Sequence, residues 1–354
     1  MTDYIFVLGK NWILSIAELI ALLENRGLRI KLVDHSRHVA VMRLPHTLEE
    51  EELMDIQSAL GGCFKIALVL HRADRRTFER AYPKRGSHSK ADRRKVLACE
   101  WLSSVWPRPQ GQRIEYAVST YPMSEQDDVD VIRLTRNLNE SLKDRLLQMG
   151  AKRAAYYIYN EPDRRDPSRP PTALWPQTLA RHNLLSPPNA EIVVALTDVS
   201  AYVGKTLTAY DSLLQQYRDE SRPYVSAEIS TSPKLCRTLL NLAGAQPGDV
   251  VLDPFCGTGT LLMEAALLGM RCIGIDIEGD VVRGARSNLK WMSIDLGEPL
   301  DYSIVRGDAR NIDSLVHDTV DAIATEPPLG PVYAEPPTRE QARQTIEDLS
   351  LIHI

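Results

Sequence analysis

The sequence predicts an α/β protein in which an N-terminal ferredoxin-like unit and a basic α+β region precede a Rossmann-like parallel-sheet domain. Three observations carry this. The first 70 residues alternate in a βαββαβ order, and residues from about 221 onward alternate buried strands with helices. The third is the stretch Asp253-Pro-Phe-Cys-Gly-Thr-Gly-Thr260, which joins a buried strand (Val250–Leu252) to an apolar helix (Leu261–Leu268). Gly257 and Gly259 remove Cβ atoms where the backbone must turn tightly and let a ligand approach. The helix behind them offers unpaired N–H groups.

The N-terminal elements are strand Tyr4–Leu8, helix Ile13–Asn25, strands Arg29–Asp34 and Val39–Leu44, helix Leu48–Leu60 and strand Phe64–Leu70. That order is ferredoxin-like. From His71 to Lys205 the pattern predicts helices near Lys90–Val105 and Val131–Met149, and strands near Arg113–Ser119, Ala154–Tyr159 and Glu191–Leu196. Glu161–Pro171 is charged and proline-rich and reads as an exposed loop. Tyr156, Tyr157 and Tyr159 suit base stacking, but alternation along a half-buried strand explains them as well and is favoured. Thr206–Glu220 reads as a linker helix. The expected divisions are therefore 1–70, 71–205, 206–220 and 221–348.

A chain of 354 residues suggests two or three domains. No apolar run is long enough to span a bilayer. Trp12–Leu23 contains Ser15 and Glu18 and reads as an amphipathic helix rather than a signal peptide. Cys63, Cys99, Cys236, Cys256 and Cys272 are odd in number and scattered. They argue against a zinc site or disulfide framework and for a reducing cytoplasm. Cys256 reads as a small loop-filling side chain rather than a nucleophile. The net charge of −5 conceals a split: His71–Arg181 carries 22 Lys+Arg against 14 Asp+Glu, a balance of +8, leaving −13 elsewhere. The clusters Arg72, Arg75, Arg76, Arg80, Lys84, Arg85 and Lys90, Arg93, Arg94, Lys95 suit phosphate tracking. A solvated face is the plainer reading of either run alone.

A dinucleotide fingerprint needs a third glycine and a helix aimed at a pyrophosphate. Here that glycine is missing, and Asp253 would repel a phosphate. A cofactor with a cationic amino-acid end fits better, which points to S-adenosylmethionine. Strand Arg271–Asp276 ends in a carboxylate placed for ribose hydroxyls. Strand Tyr302–Arg306 leads to Gly307-Asp308, where a carboxylate could meet an adenine amino group. A fourth strand, Asp321–Thr325, ends in Glu326-Pro-Pro-Leu-Gly330. Singly, each acid reads as a solvated loop carboxylate. Together they outline a ligand crevice at the C-terminal ends of the strands.

The series Asp253–Thr260, Gly274-Ile-Asp276, Gly307-Asp308 and Pro327-Pro328 closely resembles class I methyltransferases that act on guanine N2 in tRNA, specifically the THUMP-containing tRNA (guanine-N2-)-methyltransferase family. Ser221-Arg-Pro-Tyr224, Ser232-Pro-Lys and Leu239-Leu-Asn-Leu242 resemble that family's lead-in to the cofactor strand. Ala201-Tyr-Val-Gly-Lys-Thr206 resembles the end of a THUMP domain, and Tyr4–Gly9 with Ser15–Leu19 its N-terminal opening. The resemblance implies a THUMP-type RNA-binding region over 71–205 and a methyltransferase domain over 221–348. It implies S-adenosylmethionine held by Asp253, Phe255, Gly257, Thr258, Gly259, Asp276, Ile277, Asp308 and Ala309, with no metal. The target amine falls to Glu326, Pro327, Pro328 and Leu329. Its partner would be tRNA, methylated at a guanine such as 10 or 6, by a monomer; the need for a small activating subunit stays open.

Two residues depart from the family's acceptor motif. Glu326 is one methylene longer than the usual Asp, and Leu329 cannot stack as a tyrosine does. Either Glu326 still accepts the N–H bond with Tyr333 supplying a ring, or the substrate has changed or catalysis is lost. A rigid structural turn is the plain alternative. The family has seven strands and this chain supplies four. Leu349–Ile354 also matches what a sequencing-library adapter encodes, so the natural gene is expected to continue after about Asp348. Two other functions stay open: a methyltransferase for another amino group (in rRNA, DNA or a small molecule), and a non-catalytic RNA-binding protein.

Overall fold

The computed structural model describes residues 1–157, 172–225, 231–327, 330 and 336–353. It divides into two units, Met1–Leu214 and Gln215–Ile354.

The first unit comprises β1 (Thr2–Leu8), α1 (Trp12–Asn25), β2 (Lys31–His35), β3 (Val39–Leu44), α2 (Glu50–Ala59), β4 (Cys63–Asp74), α3 (Arg75–Ala81), α4 (Lys90–Val96), α5 (Leu102–Val105), β5 (Arg113–Tyr121), α6 (Val131–Gln148), β6 (Arg153–Tyr157), α7 (Pro176–Arg181), β7 (Ala190–Leu196) and β8 (Ser200–Ala209). One eight-stranded sheet, ordered β2-β3-β1-β4-β8-β7-β5-β6, runs through all of it. The βαββαβ opening is present as read.

The division expected at 70/71 falls inside β4. This strand is twelve residues long and pairs with β1 on one side and, from Lys65↔Ala209 to Asp74↔Ser200, with β8 on the other. Its polar end (His71, Arg72, Asp74) concealed the continuation. The helix expected over Thr206–Glu220 is likewise displaced: β8 continues to Ala209, and α8 spans Ser212–Ser221.

α6 forms because Leu134, Leu138, Leu142 and Leu146 share one buried stripe. The Asp130 side chain caps its first turn, accepting from the Arg133 N–H at 3.0 Å. A charged pair lies inside the sheet, where Lys65 Nζ donates to Glu191 Oε1 at 2.5 Å and both side chains are buried. Thr206 and Ser119 hydroxyls donate to the same carboxylate, satisfying its remaining lone pairs.

The second unit continues with α9 (Pro233–Leu242), β9 (Val250–Asp253), α10 (Thr260–Leu267), β10 (Arg271–Asp276), α11 (Gly279–Leu296), β11 (Tyr302–Arg306), α12 (Ile312–Leu315), β12 (Ala322–Ile323) and α13 (Arg339–His353). Its four strands are all parallel, in the order β11-β10-β9-β12. β12 is shorter than the expected Asp321–Thr325, although the Ala324 N–H still reaches the Leu252 carbonyl at 3.1 Å. Period-two alternation buries both faces. Val251, Cys272 and Ile304 pack with residues of α9, α10 and α11. Leu252, Ile273 and Ile275 pack against Ile312, Leu315, Val316 and Val320.

Candidate active site

Because the strands are parallel, their C-terminal ends share one edge of the sheet, and the acidic residues expected there follow from the chain reversals. Gly274 pairs with Asp253 across β10 and β9. A Cβ on Gly274 would lie 2.5 Å from Leu262 Cδ1 and 3.0 Å from the Cys256 side chain, so a glycine is what lets the 253–259 loop settle onto β10. The Cys256 N–H donates to the Ile275 carbonyl at 2.9 Å, and the Gly257 N–H donates to Asp276 Oδ2 at 3.0 Å. Gly259 caps α10 with φ +80°, a left-handed conformation. Cys256 is buried, and burial pushes its thiol far up, which suits a loop-filling side chain.

Asp253 is 3% exposed. Desolvation raises its carboxyl to about 7, against the Thr325 hydroxyl and Phe255 N–H bonds that lower it, and Asp276 adds a further upward push. Thr325 Oγ1 donates to Asp253 Oδ1 at 2.6 Å and the Phe255 N–H at 3.1 Å. Thr258 is buried, Phe255 and Ala309 are half-buried, and Ile277 is exposed beside Asp276. Asp276 Oδ1 accepts from the Glu278 N–H at 2.9 Å.

Asp308 stands after β11, where the side chain and the N–H of Arg310 hold its carboxyl down to about 2. On the other side of β9, the chain leaves β12 through Thr325 to Glu326, whose Oε2 accepts from the Thr231 hydroxyl at 2.6 Å. Glu326 is exposed and Pro327 half-buried. Pro328, Leu329 and Tyr333 lie outside the described residues, as do Tyr159, the Glu161–Pro171 stretch and Ile354. The structure thus brings the Asp253 loop, Asp276, Asp308 and Glu326 to one sheet edge.

Sequence reading missed Asn288. It is fully buried in α11, where its Nδ2 donates to the carbonyls of Tyr224 (2.8 Å) and Thr258 (3.0 Å) and its Oδ1 accepts from the Tyr224 N–H (2.9 Å). The glycine-rich loop is therefore fastened to Tyr224 through one side chain. The available signal was an Asn on the same helical stripe as Ala285, Leu289 and Met292. Arg222 adds a second tie, donating to Thr260 Oγ1 at 2.9 Å.

In the first unit the basic clusters divide by role. Arg75 is buried and donates to Glu79, Asp127 and the Thr197 carbonyl. Arg80 pairs with Asp92, and the Arg93 guanidinium lies 5.8 Å from the Tyr82 ring centroid. Arg76, Lys84, Arg85, Lys90, Arg94 and Lys95 are exposed. Tyr156 packs on Tyr116, and the Tyr157 hydroxyl meets His182 Nδ1 at 2.5 Å, so these rings serve the unit's own packing. Among the described residues no helix is long and apolar enough to cross a membrane, and no His, Cys, Asp and Glu group could hold a metal ion.

A parallel sheet of this order with a glycine-rich first loop is the Rossmann-like fold of class I methyltransferases. Residues 221–345 match the family described as UPF0020, RMKL-like, methyltransferase domain. A tRNA (guanine(10)-N2)-dimethyltransferase of Methanothermobacter thermautotrophicus is 45% identical over 115 residues, 32% of each chain. That of Methanocaldococcus jannaschii is 31% identical over 182 residues, 49% of each. The tRNA (guanine(10)-N(2))-methyltransferase of Saccharomyces cerevisiae is 29% identical over 147 residues, 40% of this chain and 34% of its own. The chain spans less than half the length of these curated relatives. TrmN from Thermus thermophilus superposes with a TM-score of 0.50 at 19% identity, covering 93% of this chain and 80% of that one. SMU.472, solved in complex with SAH, gives 0.50 at 15%, covering 98% and 84%. These likenesses bear on the fold alone.

The residues fit S-adenosylmethionine. A buried carboxylate that holds its proton to about 7 suits a ligand bringing a cation to it, and a glycine-rich turn leaves room for the ligand's backbone-side approach.

Proposed function

We propose that the protein transfers a methyl group from S-adenosylmethionine to the exocyclic N2 of a guanine in tRNA, position 10 being the one named for its relatives. The observation that carries this is the convergence of the Asp253 loop and Glu326 at one sheet edge, linked by the Thr325–Asp253 hydrogen bond. The cofactor supplies an activated methyl, so the protein's work is to position the amine. Asp253 ionises to receive a cationic group at the end of β9. Asp276 and Asp308 offer acceptors to ribose and adenine donors, and Ile277 an apolar surface beside them. At the acceptor side, Glu326 and the Pro327 carbonyl accept from the guanine amino group. These bonds hold its two N–H groups and turn its lone pair toward the methyl. Phe255, Thr258 and Ala309 shape the cofactor crevice, and Pro328 and Leu329 belong to the same acceptor motif of the sequence.

The finer assignments belong to the same reading. The part of the first unit that follows β4, which shares its sheet with the ferredoxin-like opening, acts as a THUMP-type RNA holder, supported by the exposed cations between Arg76 and Lys95. The five buried free cysteines favour a reducing cytoplasm. The test is methyl transfer to a tRNA carrying inosine, which lacks only the 2-amino group, in place of the target guanosine. Transfer to the guanosine form alone supports the reading; equal transfer to both overturns it.

A further inference from the structure

Glu326 departs from the acceptor motif by one methylene, and the structure shows what accompanies the change. We infer that Thr231 is a positioning residue that fixes the Glu326 carboxylate for the acceptor amine, an inference that rests on the proposed role of Glu326. A glutamate carries one more rotatable bond than an aspartate. On an exposed loop that freedom costs conformational entropy to freeze, which dilutes the productive orientation. The Thr231 hydroxyl donates to Oε2 at 2.6 Å, a charge-assisted bond that holds that oxygen and leaves Oε1 to accept from a substrate N–H.

Thr231 is itself anchored. It immediately precedes Ser232, the N-cap of α9, and Pro233 occupies the first turn of that helix. α9 is pinned through buried Cys236 and Leu240 and through Arg237, which donates to Glu264 at 2.5 Å. The backbone entering Glu326 is fixed independently, since Thr325 is bonded to the buried Asp253. Glu326 is therefore held at both ends, its backbone by the sheet edge and its carboxylate by the α9 lead-in. Among the described residues the Thr231 side chain bonds Glu326 and no cofactor residue, so the effect of losing its hydroxyl falls on the transfer step.

The experiment compares the Thr231→Val, Thr231→Ser, Glu326→Ala and Val/Ala double variants with the unsubstituted protein. It measures kcat and KM for tRNA methylation, S-adenosylhomocysteine affinity by calorimetry, and thermal melting. Thr231→Val is expected to lower kcat about tenfold, equivalent to about 1.4 kcal/mol, with cofactor-product affinity and melting unchanged. Thr231→Ser should restore most of the rate. Glu326→Ala should cost more, and the double variant should be no slower than Glu326→Ala alone. Full activity of Thr231→Val beside an impaired Glu326→Ala overturns the inference and leaves the function standing. Loss of cofactor-product affinity or of melting temperature in both Thr231 variants overturns it in favour of a purely structural role. An unimpaired Glu326→Ala overturns the role of Glu326 itself.

Discussion

Burial at the end of β9 lets Asp253 titrate near neutrality, at about 7 rather than the usual 3.8. A ligand cation needs its ionised form, so affinity for S-adenosylhomocysteine should rise with pH through about 7 and then level off. Calorimetry at pH 6 and 8 checks this, and Asp253→Asn should bind weakly at both. The stability effect has the opposite sign. The folded chain keeps this proton to about pH 7, whereas the unfolded chain releases it near 3.8, so the contribution is complete at low pH and is lost as pH rises through 7. The ligand-free wild type should therefore lose melting temperature between pH 5 and 8 relative to Asp253→Asn. Asp308, held to about 2 by Arg310, stays ionised over that range and adds nothing to either slope.

Among the elements, the 253–259 loop depends on close contact with β10. Gly274→Ala places a methyl 2.5 Å from Leu262 Cδ1 and 3.0 Å from Cys256. It should cost about 1–3 kcal/mol in denaturant unfolding and weaken cofactor-product binding by moving the loop. The βα elements around this loop were legible in the sequence because apolar runs, glycines and acids recur at regular spacing. β8 and the end of β4 were not. Their alternation is carried by Thr, Lys, Arg and Tyr, and their burial comes from pairing with each other across more than a hundred residues of sequence. α3 was equally hidden, its arginines reading as a surface charge run although Arg75 is buried. Asn288 and Thr231 escaped notice for a related reason: each acts on a partner far along the chain, and only the fold brings them together.

At the scale of the whole molecule, charge separates two kinds of arginine and lysine that composition counts as one. Replacing Arg76, Lys84, Arg85, Lys90 and Arg94 together with Glu should weaken tRNA binding and flatten its salt dependence, with melting nearly unchanged. Arg75→Ala should instead lower stability by about 3–5 kcal/mol, because it strands the buried Asp127 carboxylate. Thermal melting and filter binding at two salt concentrations distinguish the two sets. The Thr325–Asp253 hydrogen bond has a different reach. A cation at Asp253 holds that carboxylate in its charged form, and a charged acceptor grips the Thr325 hydroxyl harder. Filling one side of the sheet edge thus stiffens the strand end that carries Glu326. If the proposed function holds, linkage requires the reverse in equal measure, so affinity for S-adenosylhomocysteine should rise by the same factor when tRNA is present. One hydroxyl, 2.6 Å from one carboxylate, would then couple methyl donor and acceptor as ligands of a single edge.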